Sequence, residues 1–103
     1  MEIVQSLSNG VCTLTLNRPT VFNSFNQAMA LALQSALDKS AADENVRAIV
    51  ITGEGKAFCA GQDLAEATDP DGPALQQIVR DHYNPIILKI RNIEKPVIAA
   101  VNG

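Results

Sequence analysis

The sequence predicts an α/β layer fold, and three observations carry that prediction. Two short apolar runs, Ala48-Ile49-Val50-Ile51 and Val97-Ile98-Ala99-Ala100-Val101, read as strands covered on both faces. Asn9-Gly10 sits between two strand-like segments, residues 2–8 and 11–17, and is a strong hairpin signal. Between the strands, apolar residues recur at helical spacing. The order that results is ββ, α, β, α, α, β, as in a layered α/β domain.

Each element has its own local reason. In the second strand Cys12, Leu14 and Leu16 alternate with Val11, Thr13 and Thr15, the period of a strand with two unlike faces. Arg18-Pro19 ends it, because proline has no N–H for a sheet ladder. Asn23-Ser24-Phe25-Asn26 supplies capping chemistry for a helix over 26–42, with Met29, Leu33, Ala36 and Leu37 as its apolar stripe. A strand over 46–52 follows a polar turn at Asp43-Glu44-Asn45. A short helix is predicted to run to about Ala67, then a loop over Thr68-Asp69-Pro70-Asp71-Gly72-Pro73. A longer helix over about 75–93 carries Leu75, Ile78, Val79, Ile86, Ile87, Ile90 and Ile93, with a kink or break expected at Pro85. A last buried strand over 95–101 leads into Asn102-Gly103.

Composition narrows the function classes. The chain has 103 residues, 47% hydrophobic and 18% charged, with net charge −3, which suits one domain or part of one. Mild acidity with scattered Lys and Arg argues against a nucleic-acid surface. No apolar run approaches the roughly 20 residues of a membrane span, and Met1-Glu2-Ile3-Val4 shows no leader pattern. Cys12 and Cys59 lack metal-ligand spacing and read as buried free thiols, which fits a cytoplasmic setting.

The chemistry-bearing stretch is Lys56-Ala57-Phe58-Cys59-Ala60-Gly61-Gln62-Asp63-Leu64, directly after the 46–52 strand. Small residues allow close approach to the main chain, and glycine reaches backbone angles closed to others. An acid after the glycine favours a helix start. Such a loop can present backbone N–H groups to an anion or a developing oxyanion. It can equally be a strand, a tight turn and a capped helix with no ligand.

Phe58-Cys59-Ala60-Gly61-Gln62-Asp63-Leu64 resembles the signature of the enoyl-CoA hydratase/isomerase (crotonase) family. Leu16-Asn17-Arg18-Pro19, Asn23-Ser24-Phe25, Ile51-Thr52-Gly53 and Lys95-Pro96-Val97-Ile98-Ala99-Ala100-Val101-Asn102-Gly103 resemble further family motifs, in family order and spacing. Gln62 and Tyr83-Asn84-Pro85 are similar to the ring-1,2-epoxyphenylacetyl-CoA isomerase branch. The resemblance implies the N-terminal portion of a crotonase-like ββα spiral, with residues 1–103 part of an acyl-CoA-binding domain truncated after Gly103.

On that resemblance the Gln62 main-chain N–H is the first of two oxyanion donors for an acyl-CoA thioester. Ala60, Gly61, Asp63 and Leu64 would line the substrate path, and Asn23, Ser24 and Phe25 would flank the same groove. Arg18 or Lys56 would meet coenzyme A phosphates, or else be solvated surface charge. Coenzyme A belongs to the substrate, so no separate cofactor and no metal is expected. The implied reaction is isomerisation or hydration through a stabilised thioester enolate, with ring-epoxide phenylacetyl-CoA isomerisation in phenylacetate catabolism as the specific reading. The alternatives are an enoyl-CoA hydratase of fatty-acid oxidation and a non-catalytic acyl-CoA-binding or assembly module. A hydrolase on the related caseinolytic-protease scaffold lacks its Gly-x-Ser-x-Gly elbow here.

The family's second donor and its acid–base carboxylates fall after Gly103, so the 103 residues are expected to be inactive alone. Asp63 reads as a capping acid and Glu66 as a solvated one. Asp69 and Asp71 read as turn formers, and His82 and Tyr83 as packing residues. Trimers or paired trimers are the expected assembly.

Overall fold

The computed structural model describes all residues, 1–103. Strands β1 (Ile3–Ser8), β2 (Val11–Leu16), β3 (Ala48–Gly53) and β4 (Val97–Ala99) form one sheet in the order β1-β2-β3-β4. The β1–β2 pair is antiparallel, with Ser8 opposite Val11 across the turn. Asn9 (φ 52°) and Gly10 (φ 82°) both have positive φ, the backbone that a two-residue hairpin turn demands. The β2–β3 and β3–β4 pairs are parallel and need crossovers.

Helix α1 (Gln27–Ala42) makes the first crossover. Of the capping cluster, Asn26 does the work: its Oδ1 accepts from the Met29 N–H at 2.9 Å. Met29, Ala30, Leu33, Ala36 and Leu37 are buried against Cys12, Leu14, Leu16, Ile49 and Ile51, so the helical stripe and two strand faces make one core. Lys95 Nζ donates to the Ser40 and Asp43 carbonyls at 2.9 and 2.8 Å, neutralising the last turn of α1 and tying it to the approach to β4.

The second crossover breaks near Pro85 as expected, with a form the sequence did not specify. The long helix is divided into α3 (Leu75–Ile78), a π turn (Val79–Tyr83) and α4 (Asn84–Asn92). Pro85 enters the first turn of α4, where its missing N–H costs nothing, and the wider π turn absorbs the mismatch upstream. The buried strand expected over 95–101 is only three residues long and exposed: Ile98 is 53% accessible and Val101 69%. Only Val97 of this strand packs against the core. Nor is β3 covered on both faces: Ile49 and Ile51 are buried, while Val50 and Thr52 are half-exposed on the other side. No helix is long and apolar enough to cross a membrane.

Candidate active site

The turn between β3 and the short helix α2 (Leu64–Ala67) is held by two asparagines. Asn102 Nδ2 donates to the Gly53 and Gly55 carbonyls, its Oδ1 accepts from the Gly53 N–H, and its carbonyl accepts from the Phe58 N–H at 2.7 Å. Asn23 lies on the opposite flank. Its Nδ2 donates to the Glu54 and Ala57 carbonyls at 3.0 and 2.8 Å, and its Oδ1 accepts from the Arg18 N–H at 2.7 Å. Gly53 itself is packed so closely that a Cβ would fall 2.5 Å from the Ala57 carbonyl oxygen.

The loop then passes Gly61 at φ +126°, a conformation that favours glycine, with open space where a side chain would be. Beyond it, Gln62 and Phe25 form a single parallel bridge. The Phe25 N–H donates to the Gly61 carbonyl and the Asp63 N–H to the Phe25 carbonyl, both at 2.7 Å. In such a pairing the flanking peptides face the partner, and the middle residue's own N–H turns away. Gln62 accordingly leaves its N–H without any hydrogen bond in the chain.

Two hollows open on either side of that peptide, and Gln62 is the residue they share. One, of about 260 Å³, is apolar and lined by Phe25, Cys59, Gly61, Gln62, Tyr83, Ile86 and Ile87. The other, of about 540 Å³, includes Val21, Ser24, Ala60, Asp63 and Leu64. The structure thus gathers seven of the eight predicted loop and flank positions around one N–H. Ser24, Ala60, Asp63 and Leu64 reach the larger hollow, and Phe25 and Gly61 the apolar one. Asn23 reaches neither: it is fully buried and its amide is spent on the scaffold.

Lys56 on the turn is exposed, whereas Arg18 is engaged within the fold. Arg18 Nη2 pairs with Asp63 Oδ2 at 3.1 Å and its Nη1 donates to the Ser24 carbonyl at 2.6 Å, with both side chains about one-fifth exposed. Arg18 is therefore neither a solvated charge nor free for a phosphate. Asp63 Oδ1 also accepts from the Ala65 and Glu66 N–H groups, capping α2. The guanidinium and these N–H groups hold its carboxyl below the usual carboxylate range, against the opposing pull of burial. Glu66 is half-buried rather than solvated, and its Oε2 accepts from the Gln27 N–H at 2.9 Å, joining α2 to the start of α1.

Several site residues escaped the sequence reading. Cys59 is half-buried and lines the apolar hollow, unlike Cys12, which is fully buried. Tyr83, Ile86 and Ile87 form one wall; Ile86 and Ile87 belong to the predicted helical stripe and Tyr83 is a predicted packing residue, but none was read as a pocket wall. Tyr83 meets Phe25 edge-on at 6.1 Å. Burial raises its hydroxyl pKa, and the carboxylates of Glu66 and Asp63 add to the effect. Asn102 carried no local signal for its role. His82 is buried and packs edge-on against Tyr83, as expected of a packing residue.

Comparison with known proteins places the chain in a family. The family model described as enoyl-CoA hydratase/isomerase matches residues 6–103. The chain is 46% identical to the 1,2-epoxyphenylacetyl-CoA isomerase of Escherichia coli K12, over all of this chain and 41% of that protein. It is 42% identical to a probable enoyl-CoA hydratase of Rhodobacter capsulatus, over 94% of this chain and 37% of that one. Among solved structures, Pseudomonas aeruginosa PA4980 superposes with a TM-score of 0.89 at 34% identity, over 99% of this chain and 44% of that one. An enoyl-CoA hydratase/isomerase (crotonase) from Legionella pneumophila does so with 0.89 at 29% identity, over 99% of this chain and 40% of that one. The chain spans about two-fifths of the length of the curated relatives it matches. Its sheet and helices are the N-terminal part of the crotonase-like fold those structures share, and the chain belongs to the enoyl-CoA hydratase/isomerase family.

Proposed function

We propose that residues 1–103 supply the first oxyanion donor and much of the acyl-CoA groove of an acyl-CoA isomerase or hydratase. The observation that carries this reading is the unbonded Gln62 N–H at the junction of two hollows. A thioester oxygen at that N–H puts the acyl group in the apolar hollow and the pantetheine arm in the larger one. Proton removal beside the thioester, or water addition across the adjoining double bond, builds negative charge on that oxygen. A donor already fixed by the scaffold stabilises that charge without reorganising. Coenzyme A arrives as part of the substrate, and no metal takes part.

The specific reaction proposed is isomerisation of a ring-1,2-epoxyphenylacetyl-CoA to its ring-expanded oxepin. The 46% identity to an enzyme of that name supports it, and so does a hollow walled by Phe25 and Tyr83, which suits a flat ring. Trimeric or hexameric assembly and a cytoplasmic, phenylacetate-degrading setting belong to the same proposal. A second reading, a non-catalytic acyl-CoA-binding module, draws on the apolar hollow having no carboxylate or imidazole in its lining. The catalytic reading places the second donor and the acid–base groups outside these 103 residues.

The test replaces the Gln62 amide by an ester, which removes the N–H and keeps the side chain. Phenylacetyl-CoA is expected to bind about 2- to 10-fold more weakly, as for one lost hydrogen bond. An unchanged dissociation constant rejects the donor role. Tighter binding of 2-butenoyl-CoA than of phenylacetyl-CoA favours the fatty-acid hydratase over the ring isomerase. Oxepin formation by the 103-residue chain overturns the assignment of the acid–base groups elsewhere.

A further inference from the structure

The Phe25–Gln62 bridge is a single residue pair, too short to fix its own register. The Ala60 N–H to Phe22 carbonyl bond and the Gln27 N–H to Glu66 bond, each at 2.9 Å, tie the same two segments farther out, and the guanidinium of Arg18 bonds to both immediately beside the pair. Nη1 donates to the carbonyl of Ser24, the residue before Phe25, at 2.6 Å. Nη2 donates to the carboxylate of Asp63, the residue after Gln62, at 3.1 Å. The backbone of Arg18 is fixed in turn, since its N–H donates to the buried Asn23 Oδ1 at 2.7 Å. The fork thus spans the bridge from one strand to the other, with its root anchored in the scaffold.

We propose that Arg18 is a positioning residue for the oxyanion donor: through Ser24 and Asp63 it sets the orientation of the Gln62 peptide N–H. The inference rests on the proposed donor role of that N–H. A guanidinium is planar and presents its donors in a rigid fork, so both contacts hold one geometry at once. An ammonium keeps the charge but is a single point and cannot reproduce the pair of directions. A donor turned well out of line still permits binding of the thioester. What it loses is polarisation of the carbonyl, because hydrogen bonds weaken steeply with misalignment.

The experiment reads the carbonyl directly. Phenylacetyl-CoA labelled with carbon-13 at the thioester carbonyl is titrated into the chain and into Arg18→Met, Arg18→Lys and Asp63→Asn. In the unaltered chain the bound carbonyl resonance is expected to move downfield. Arg18→Met and Asp63→Asn are expected to lose at least half of that movement, and Arg18→Lys to lose more of it than its retained charge alone would explain. Circular dichroism and thermal melting separate folded from unfolded variants. If Arg18→Met does not fold, Arg18→Lys and Asp63→Asn carry the test. A merely structural arginine lowers the melting temperature and leaves the carbonyl shift of the folded variants whole, and that result overturns the proposal. An absent shift in the unaltered chain overturns the donor role of Gln62 itself, which is a separate failure.

Discussion

The two halves of the chain solve the packing problem differently. Residues up to Ile51 supply nearly all of the core: α1 packs on the β1–β2 hairpin, β3 adds Ile49 and Ile51, and from beyond Ile51 only Ile86 of α4 joins the buried cluster. Of the 18 buried residues only Ile78, His82 and Ile86 lie beyond Ile51. The second half is just as apolar in pattern, yet Leu75, Ile87, Leu88, Ile98 and Val101 are each more than half exposed. Apolar surface of this kind marks a place where a ligand or another surface sits. The lesson is a division of labour. The first half is scaffold, and the second half contributes the wall of a groove built on it.

The sharpest way to break this comparison is to remove one apolar side chain from each half. Leu37→Ala empties a fully buried site and is expected to cost about 2–5 kcal/mol in urea unfolding. Leu88→Ala, at 59% exposure, is expected to stay within about 0.5 kcal/mol. Similar losses at the two positions erase the distinction.

Gly61→Ala probes the seam between the halves. No atom lies within 4 Å of the added Cβ, so the cost comes from the +126° φ and not from a clash. About 1–3 kcal/mol is expected, with weaker phenylacetyl-CoA binding because the strain falls on the peptide before Gln62. A neutral Gly61→Ala shows that the turn relaxes freely and fixes nothing.

The smallest expected effect is the acid dependence of the Arg18–Asp63 tie. Arg18 holds the Asp63 carboxyl below its usual range, so the folded chain takes up that proton less readily than the unfolded one. This contribution is complete above the unfolded carboxylate value of about 4 and is lost as pH falls through the lower, folded value. Urea midpoints measured from neutral to strongly acidic pH are expected to fall less steeply for Asp63→Asn than for the unaltered chain. Parallel curves remove Asp63 as a source of acid sensitivity.

Local signals succeeded where one residue decides its own neighbourhood. Asn9-Gly10 dictates the hairpin because both positions tolerate positive φ. The alternation through Cys12, Leu14 and Leu16 separates two strand faces, and the apolar spacing of α1 assigns its buried stripe. Pro85 announced a break but not its form, since a π turn depends on what the helix packs against. The apolar run through Val97–Val101 was misjudged as buried. Hydrophobicity reports what a strand is fit to contact, whereas burial needs an element that does the covering.

The sequence by itself determined the order of strands and helices, the family, and the glycine turn that offers the Gln62 N–H. Those follow from backbone propensity and from motif residues that act within a few positions of one another. Tertiary structure alone decided that Asn23 and Asn102 are scaffold, that Arg18 grips Ser24 and Asp63, and that Tyr83, Ile86 and Ile87 face Phe25 across a hollow. Each of these joins segments far apart in the chain. Whether a polar side chain is solvated, spent on a carbonyl or paired with a charge depends on which distant segment the fold brings within about 3 Å.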